Sequence, residues 1–334
     1  MGNLAHLNKY FYKHSKLIIP GIFFVILSNL FAIFSAQILR QAVDLIAEYL
    51  WLYKISYQVD EYKIRLIGIL SSILIGFSLL YFVFHLLKGA FLFLMRQTII
   101  VASRHIEYEL KNEIYQHIQN LPLSFFKMNK TGDIMTRITE DVSRVRMYVG
   151  PAFMYSINLV FLIIITISIM FYVNLELSLY TLIPLPVLAY TIYRVSHLIH
   201  IKSDIIQKQL SKLNTLALEA FSGIRLIKAF NQEHNFNINF DKASEDYKDK
   251  SLNLTKVEAF FFPLVTLLIG LSTIITILIG GYQVINGKIS YGNIVEFVYY
   301  INLLTWPVTA LGWIASIIQR ADVSQGRIND FLNE

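Results

Sequence analysis

The sequence predicts an all-α membrane protein with six transmembrane helices and two long cytoplasmic helical hairpins. Six runs, 17–39, 66–87, 147–175, 177–193, 259–287 and 297–319, contain no Lys, Arg, Asp or Glu. A helix crossing the hydrocarbon core needs about 20 predominantly apolar residues. Five runs reach that length, and the fourth, bounded by Glu176 and Arg194, sits at the short end. The chain is 55% apolar and 16% charged, whereas soluble domains carry about 25% charge. Two connections, after the second and fourth runs, are too long and too helical in period to be simple loops.

Cysteine is absent, which excludes disulfides, thiolate nucleophiles and Cys-based metal sites. His197 and His200 share a helix face but lack a third partner, so no metal is expected. The net charge of +6 fits a basic surface facing anionic headgroups better than nucleic acid. With a cytoplasmic N-terminus, only Arg40, Lys54, Lys63, Arg65 and Lys288 of the 29 Lys and Arg residues fall outside. The positive-inside rule therefore puts both termini in the cytoplasm.

Taken in order, residues 1–16 hold an amphipathic segment. Over 3–16, Leu4, Leu7 and Phe11 share one face, and His6, Lys9, Lys13 and Lys16 the other. That pattern suits a helix in the headgroup plane; the alternative is a frayed basic tail. Pro20-Gly21 is expected to turn the chain into the six-span region, 17–319. The outer segment 40–65, with Tyr49, Trp51, Tyr53, Tyr57 and Tyr62, reads as an interfacial connection. After Lys88 the apolar stripe Ile106, Leu110, Ile114, Ile118, Leu121 continues the second helix into the first hairpin, 88–150. Pro122 ends it. Gly132 is expected to close the short segment that follows and Asp133 to cap the next helix. In the second hairpin, 194–256, the stripe Ile206, Leu210, Leu213, Ala217 runs out. Ser222-Gly223 interrupts it, and Phe236, Phe240, Ala243, Tyr247 run back. Asn286-Gly287-Lys288 is a tight outer turn before the last span.

The two hairpin tips carry a resemblance. Leu121-Pro-Leu-Ser-Phe-Phe126 with Thr131-Gly-Asp-Ile-Met-Thr-Arg-Ile-Thr-Glu-Asp141 resembles the first cytoplasmic loop of ATP-binding-cassette (ABC) exporters of the type I (type IV fold) class. Glu219-Ala-Phe-Ser-Gly-Ile-Arg-Leu-Ile-Lys-Ala-Phe230, with Glu233, resembles their second. The likeness covers essentially the whole chain. It implies a multidrug- or lipid-exporter-like half-transporter in a bacterial inner membrane, acting as a homo- or heterodimer of six-span units. It also implies two coupling helices that dock on nucleotide-binding domains. The first comprises Ser124, Phe125, Phe126, Lys127, Met128, Asn129, Lys130, Thr131 and Gly132; the second Glu219, Phe221, Ser222, Gly223, Ile224 and Arg225. The substrate class is hydrophobic or amphipathic: drugs, lipids or peptides.

No G-x-x-x-x-G-K-[ST] phosphate loop occurs. Gly281 to Ile289 has one residue too many between its glycines and lacks the hydroxyl. No cofactor is therefore expected in this chain, and it is expected not to be an enzyme by itself. ATP and Mg²⁺ are implied on a nucleotide-binding domain, toward which residues 320–334 would begin the linker. Either the sequence is the membrane domain of a longer chain, the preferred reading, or the ATPase is a separate polypeptide. An ATP-independent secondary transporter or channel is the alternative function. Such proteins commonly use broken helices and ionisable relays at mid-bilayer, and the runs show neither.

Four polar span residues are candidates for the substrate pathway: Asn29, Asn158, Glu296 and Asn302. Glu296 reads either as a substrate or cation contact or, preferably, as an interfacial acid. The asparagines either bond neighbouring helices or line the path. Pro184, Pro186, Pro263 and Pro307 fall within spans and either kink them or are tolerated by packing.

Overall fold

A computed structural model describes residues 2–55 and 60–334. Every element among them is helical. A 3₁₀ turn, Asn3–Leu7, leads into α1, Asn8–Lys13. Then come α2 (Ser15–Ile55), α3 (Asp60–Asn120) and the short α4 (Leu123–Met128). α5 (Thr131–Thr136), α6 (Val142–Met147) and α7 (Phe153–Val173) form one rod, joined by π-helical turns at Arg137–Asp141 and Tyr148–Ala152. α8 (Leu175–Leu182), α9 (Pro184–Ser222), α10 (Ile224–Ala229), α11 (Glu233–Ile285) and α12 (Tyr291–Leu332) complete the chain. Six of these stretches are long and apolar enough to cross a membrane. The protein is an all-α, multi-pass membrane protein.

The helices overrun the uncharged runs. α3 has 61 residues, about 90 Å at 1.5 Å per residue, against a hydrocarbon core of about 30 Å. The segment 40–65 is not a separate connection: α2 continues to Ile55 and α3 starts at Asp60. Trp51 and Tyr53 are exposed on it; Tyr57 lies outside the described residues, as does the side chain of Tyr62. Pro20-Gly21 does not make the entry turn, because both lie inside α2. The break is at His14, which caps α1. A proline six residues into a helix falls just past the turn whose N–H groups need no partner. Gly21 instead lets α2 approach α3: a Cβ there would stand 2.5 Å from Ile99 Cγ1.

Pro184 stands at the first position of α9, where its fixed φ and missing N–H are tolerated. Pro151 sits inside the second π turn. Pro263 and Pro307 do lie within helices. Asn174 separates α7 from α8, its Oδ1 accepting from Leu177 N at 2.8 Å. The expected turn at Gly287 is present. Gly287 has φ +68, and Lys288 N donates to Gln283 O while Gly287 N donates to Val284 O, the left-handed closure that glycine favours.

The chain divides into two compact units. One runs to Thr181 and resumes at Thr273. Its main apolar core gathers Leu4, Leu7 and Tyr10 with Ile106, Leu110, Ile114, Phe125, Val142, Val145, Ile328 and Phe331. The apolar face of the N-terminal segment thus meets protein. The stripe predicted on α3 is what it packs on. Lys13 and His14 reach Glu109 at 2.9 and 3.2 Å, and Lys9 reaches Glu113 at 2.6 Å. Tyr10 also donates to Glu113. Burial alone would raise the pKa of both carboxyls. Hydrogen bonds from Lys13 and the His14 ring to Glu109, and from Lys9 and Tyr10 to Glu113, outweigh it and hold both below the usual carboxylate value.

The other unit, Leu182–Ser272, is a hairpin of α9 and the first part of α11, tipped by α10. Gln209 is buried in it, donating to Ala243 O at 2.9 Å and accepting from Lys250 at 3.2 Å. The predicted stripe is only half-right here. Leu210, Phe236 and Phe240 stay exposed, and Gln209 takes the buried place.

Candidate coupling surfaces and polar span residues

At the first tip, Pro122 is extended (ψ 155) and α4 starts after it. Only Phe125 of α4 is buried. Its ring lies 5.9 Å from Phe331, which also stands 5.3 Å from His117 and 5.0 Å from the Arg137 guanidinium. Leu123, Phe126 and Met128 are exposed, as are Ser124 and Lys127. The two aromatic residues of this predicted coupling helix therefore part: helical spacing turns Phe125 inward and Phe126 outward.

The closure of this tip also differs. Asn129 caps α4, its Nδ2 donating to Phe125 O at 3.3 Å, and Lys130 is the cap of α5. Both are extended, so two residues re-aim the chain without a left-handed position. Thr131 and Gly132 are already helical, and Gly132 does not have positive φ. Asp133 is not the cap but lies in the first turn of α5, where it pairs with Arg137 at 3.0 Å.

At the second tip, Glu219, Phe221 and Ser222 end α9, with Glu219 and Phe221 exposed. Gly223 follows at φ −94, and a Cβ there would stand 3.1 Å from Glu219 O. Ile224 and Arg225 open α10, of which only Ile227 is buried. Ile224, Leu226 and Phe230 are exposed. The residue that reverses the chain is one the sequence reading passed over. Asn231 has φ 50, with Gln232 N donating to Ile227 O at 2.9 Å and Asn231 N to Lys228 O at 3.3 Å. Asparagine is the usual non-glycine at such a closure, and that preference was the available signal. Beside this tip a cavity of about 400 Å³ is lined by Glu219, Phe221, Phe236 and Phe240.

Both tips therefore share a plan. A six-residue helix anchors one apolar side chain and presents several others outward.

The four polar span residues separate. Asn29 is buried and donates to Asn158 O at 3.4 Å, which joins α2 to α7. Asn302 is exposed and donates to Val298 O on its own helix. Glu296 is fully buried. It accepts from Arg40 and Asn293 at 3.3 Å and from the Tyr300 hydroxyl at 2.7 Å. Asn293, Glu296 and Tyr300 lie on one face of α12, a pattern visible in sequence; the partner Arg40 on α2 was not. A second distant pair also escaped the reading. Asp141, fully buried, accepts from Arg327 at 2.7 Å and Ser324 at 2.8 Å.

Comparison with known proteins adds family evidence. The profile of the ABC transporter transmembrane region matches residues 17–308. An uncharacterized ABC transporter ATP-binding protein of Bacillus subtilis is 34% identical over 68% of this chain and 39% of its own length. A multidrug resistance-like ATP-binding protein of Buchnera aphidicola is 27% identical over 99% and 54%. An ATP-dependent lipid A-core flippase of Syntrophus aciditrophicus is 28% identical over 73% and 41%. The chain spans about half the length of the curated relatives it matches.

Proposed function

Because this chain belongs to the ABC transporter transmembrane region family, we propose that it is the membrane-crossing half of an ATP-driven exporter of hydrophobic or amphipathic molecules. In this reading α4 and α10 are the coupling helices, and both termini are cytoplasmic. ATP and Mg²⁺ are held by nucleotide-binding domains and not by residues of this chain. Closure of those domains pushes on the two tips, and the spans open alternately to each side.

The observation that carries the reading is the apolar surface of the tips. Leu123 and Met128 on α4, and Phe221, Leu226 and Phe230 around α10, are each more than 60% exposed. They lie at turns between helices, where no lipid requires them, and exposed apolar groups so placed mark a docking surface. A second six-span subunit covers the bare stripe of Leu210, Phe236 and Phe240, which is too apolar to stay in water. The multidrug and flippase names of the relatives support the substrate class.

The test is reconstitution of the chain with its nucleotide-binding domains in vesicles. ATP should drive accumulation of an amphipathic dye, and the dye should stimulate hydrolysis. Movement driven equally well by an ion gradient without ATP contradicts the reading. The chain has no cysteine, so single cysteines at Asn129 and Asn286 test the topology. They should react with an impermeant maleimide from opposite faces, and reaction of both from one face rejects it.

A further inference from the structure

Asp141 closes the first π-helical turn and is fully buried. Oδ1 takes the hydrogen bonds from Arg327 and Ser324. Oδ2 is buried as well and has no hydrogen-bond partner. Asp141's chain neighbour Val142 and Arg327's chain neighbour Ile328 both belong to the main apolar core. A carboxylate in apolar surroundings is costly unless paired, so this one holds its ion pair tightly. The pair spans two pieces of the molecule: the helix that leaves the α4 tip and the end of α12. Phe331, one turn beyond Arg327, packs against Phe125 of α4 and Arg137 of the same π turn. Single π turns are frequent at functional sites, and here the turn ends on the paired residue.

We propose that Asp141 is a positioning residue for transport. It locks the α4 tip to the end of α12, so that a displacement of one is passed to the other. The inference rests on the reading of α4 as a docking helix, but the lock itself can be measured without that reading.

Nitroxide labels at Met128→Cys and Val323→Cys, both exposed in the parent chain, report the distance between the two pieces in lipid nanodiscs. The parent pair should give one narrow distance distribution. Asp141→Asn, which keeps the shape but removes the charge, should at least double its width. Arg327→Gln should do the same, and Arg327→Lys, which keeps the charge, should stay near the parent width. If Asp141→Asn does not fold, Arg327→Gln decides, because that side chain is 44% exposed and tolerates change. Unchanged width in both neutral variants overturns the lock.

In the assembled transporter, molecules moved per ATP hydrolysed should fall at least tenfold in Asp141→Asn. Broadened distances with an unchanged ratio overturn the role in transport. A parent protein that hydrolyses no ATP overturns the proposed function, while the distance measurement still decides the lock.

Discussion

The ring of Phe125, inside the six-residue helix α4, packs 5.9 Å from the ring of Phe331, next to last in α12. Phe331 is fully buried and Phe125 nearly so, whereas Phe126 beside it is 42% exposed. Truncating Phe331 leaves a cavity in the core, for which large-to-small changes cost about 3–5 kcal/mol. Phe331→Ala should lower unfolding stability by that order, and Phe126→Ala by less than about 1 kcal/mol. Denaturant titration in detergent micelles reads both. Equal losses would mean that Phe126 is also part of the core.

Fully buried Glu296 pairs with partly exposed Arg40 between α12 and α2. Removing one partner of such a pair strands a charge and costs about 3 kcal/mol or more; Arg40 is partly exposed, which keeps the figure at the low end. Arg40→Met and Glu296→Met should each destabilise by about 3 kcal/mol, and the double variant should recover most of that. Additive losses in the cycle would show that the two act independently.

Asn231 is the left-handed residue at the second tip. A β-branched side chain there is strained by about 1–2 kcal/mol, and glycine is not. Asn231→Val should speed backbone hydrogen exchange across α10, while Asn231→Gly should leave it unchanged. Identical exchange in both variants would place the control of this turn elsewhere, with Gly223 the next residue to examine.

Six helices and two hairpins are legible because the bilayer imposes a length on each uncharged run and because the α3 stripe repeats at helical period. The inside of the hairpin tips is not. Whether Phe125 or Phe126 turns inward depends on Phe331, and whether Asp141 is solvated depends on Arg327 and Ser324, all far along the chain. Glu296 is the same case: its own face of α12 is readable, but Arg40 is reached only through the packing of α2. The turn residues fail for a local reason. Gly132 and Gly223 invite a left-handed reading, yet extended residues at the first tip and Asn231 at the second accomplish the reversals.

The N-terminal segment should respond to acid. Glu109 and Glu113 have folded pKa values below the ordinary 4.5. A depressed carboxylate contributes stability that is full above the unfolded value and is lost as pH falls through the folded one. The segment should thus be held at neutral pH and loosen below about 4.5. Anisotropy of a fluorophore at Tyr12→Cys reports this, since Tyr12 is exposed. The double variant Glu109→Gln/Glu113→Gln should already be loose at pH 7. Release between pH 6 and 8 in the parent would point to groups other than these carboxylates.

Coupled export by this chain requires that the α4 tip transmit ATP hydrolysis to the spans. The most direct measurement is the number of substrate molecules moved per ATP hydrolysed in vesicles, comparing the assembled parent transporter with Phe126→Ala. The side chain is exposed at the tip and outside the core, so the variant should fold and hydrolyse ATP, with the ratio reduced at least tenfold. Gly223→Val should lower it as well at the second tip. An unchanged ratio in Phe126→Ala, accompanied by a loss of thermal stability in the membrane domain, would make the residue structural and contradict the assignment of α4 as a coupling helix.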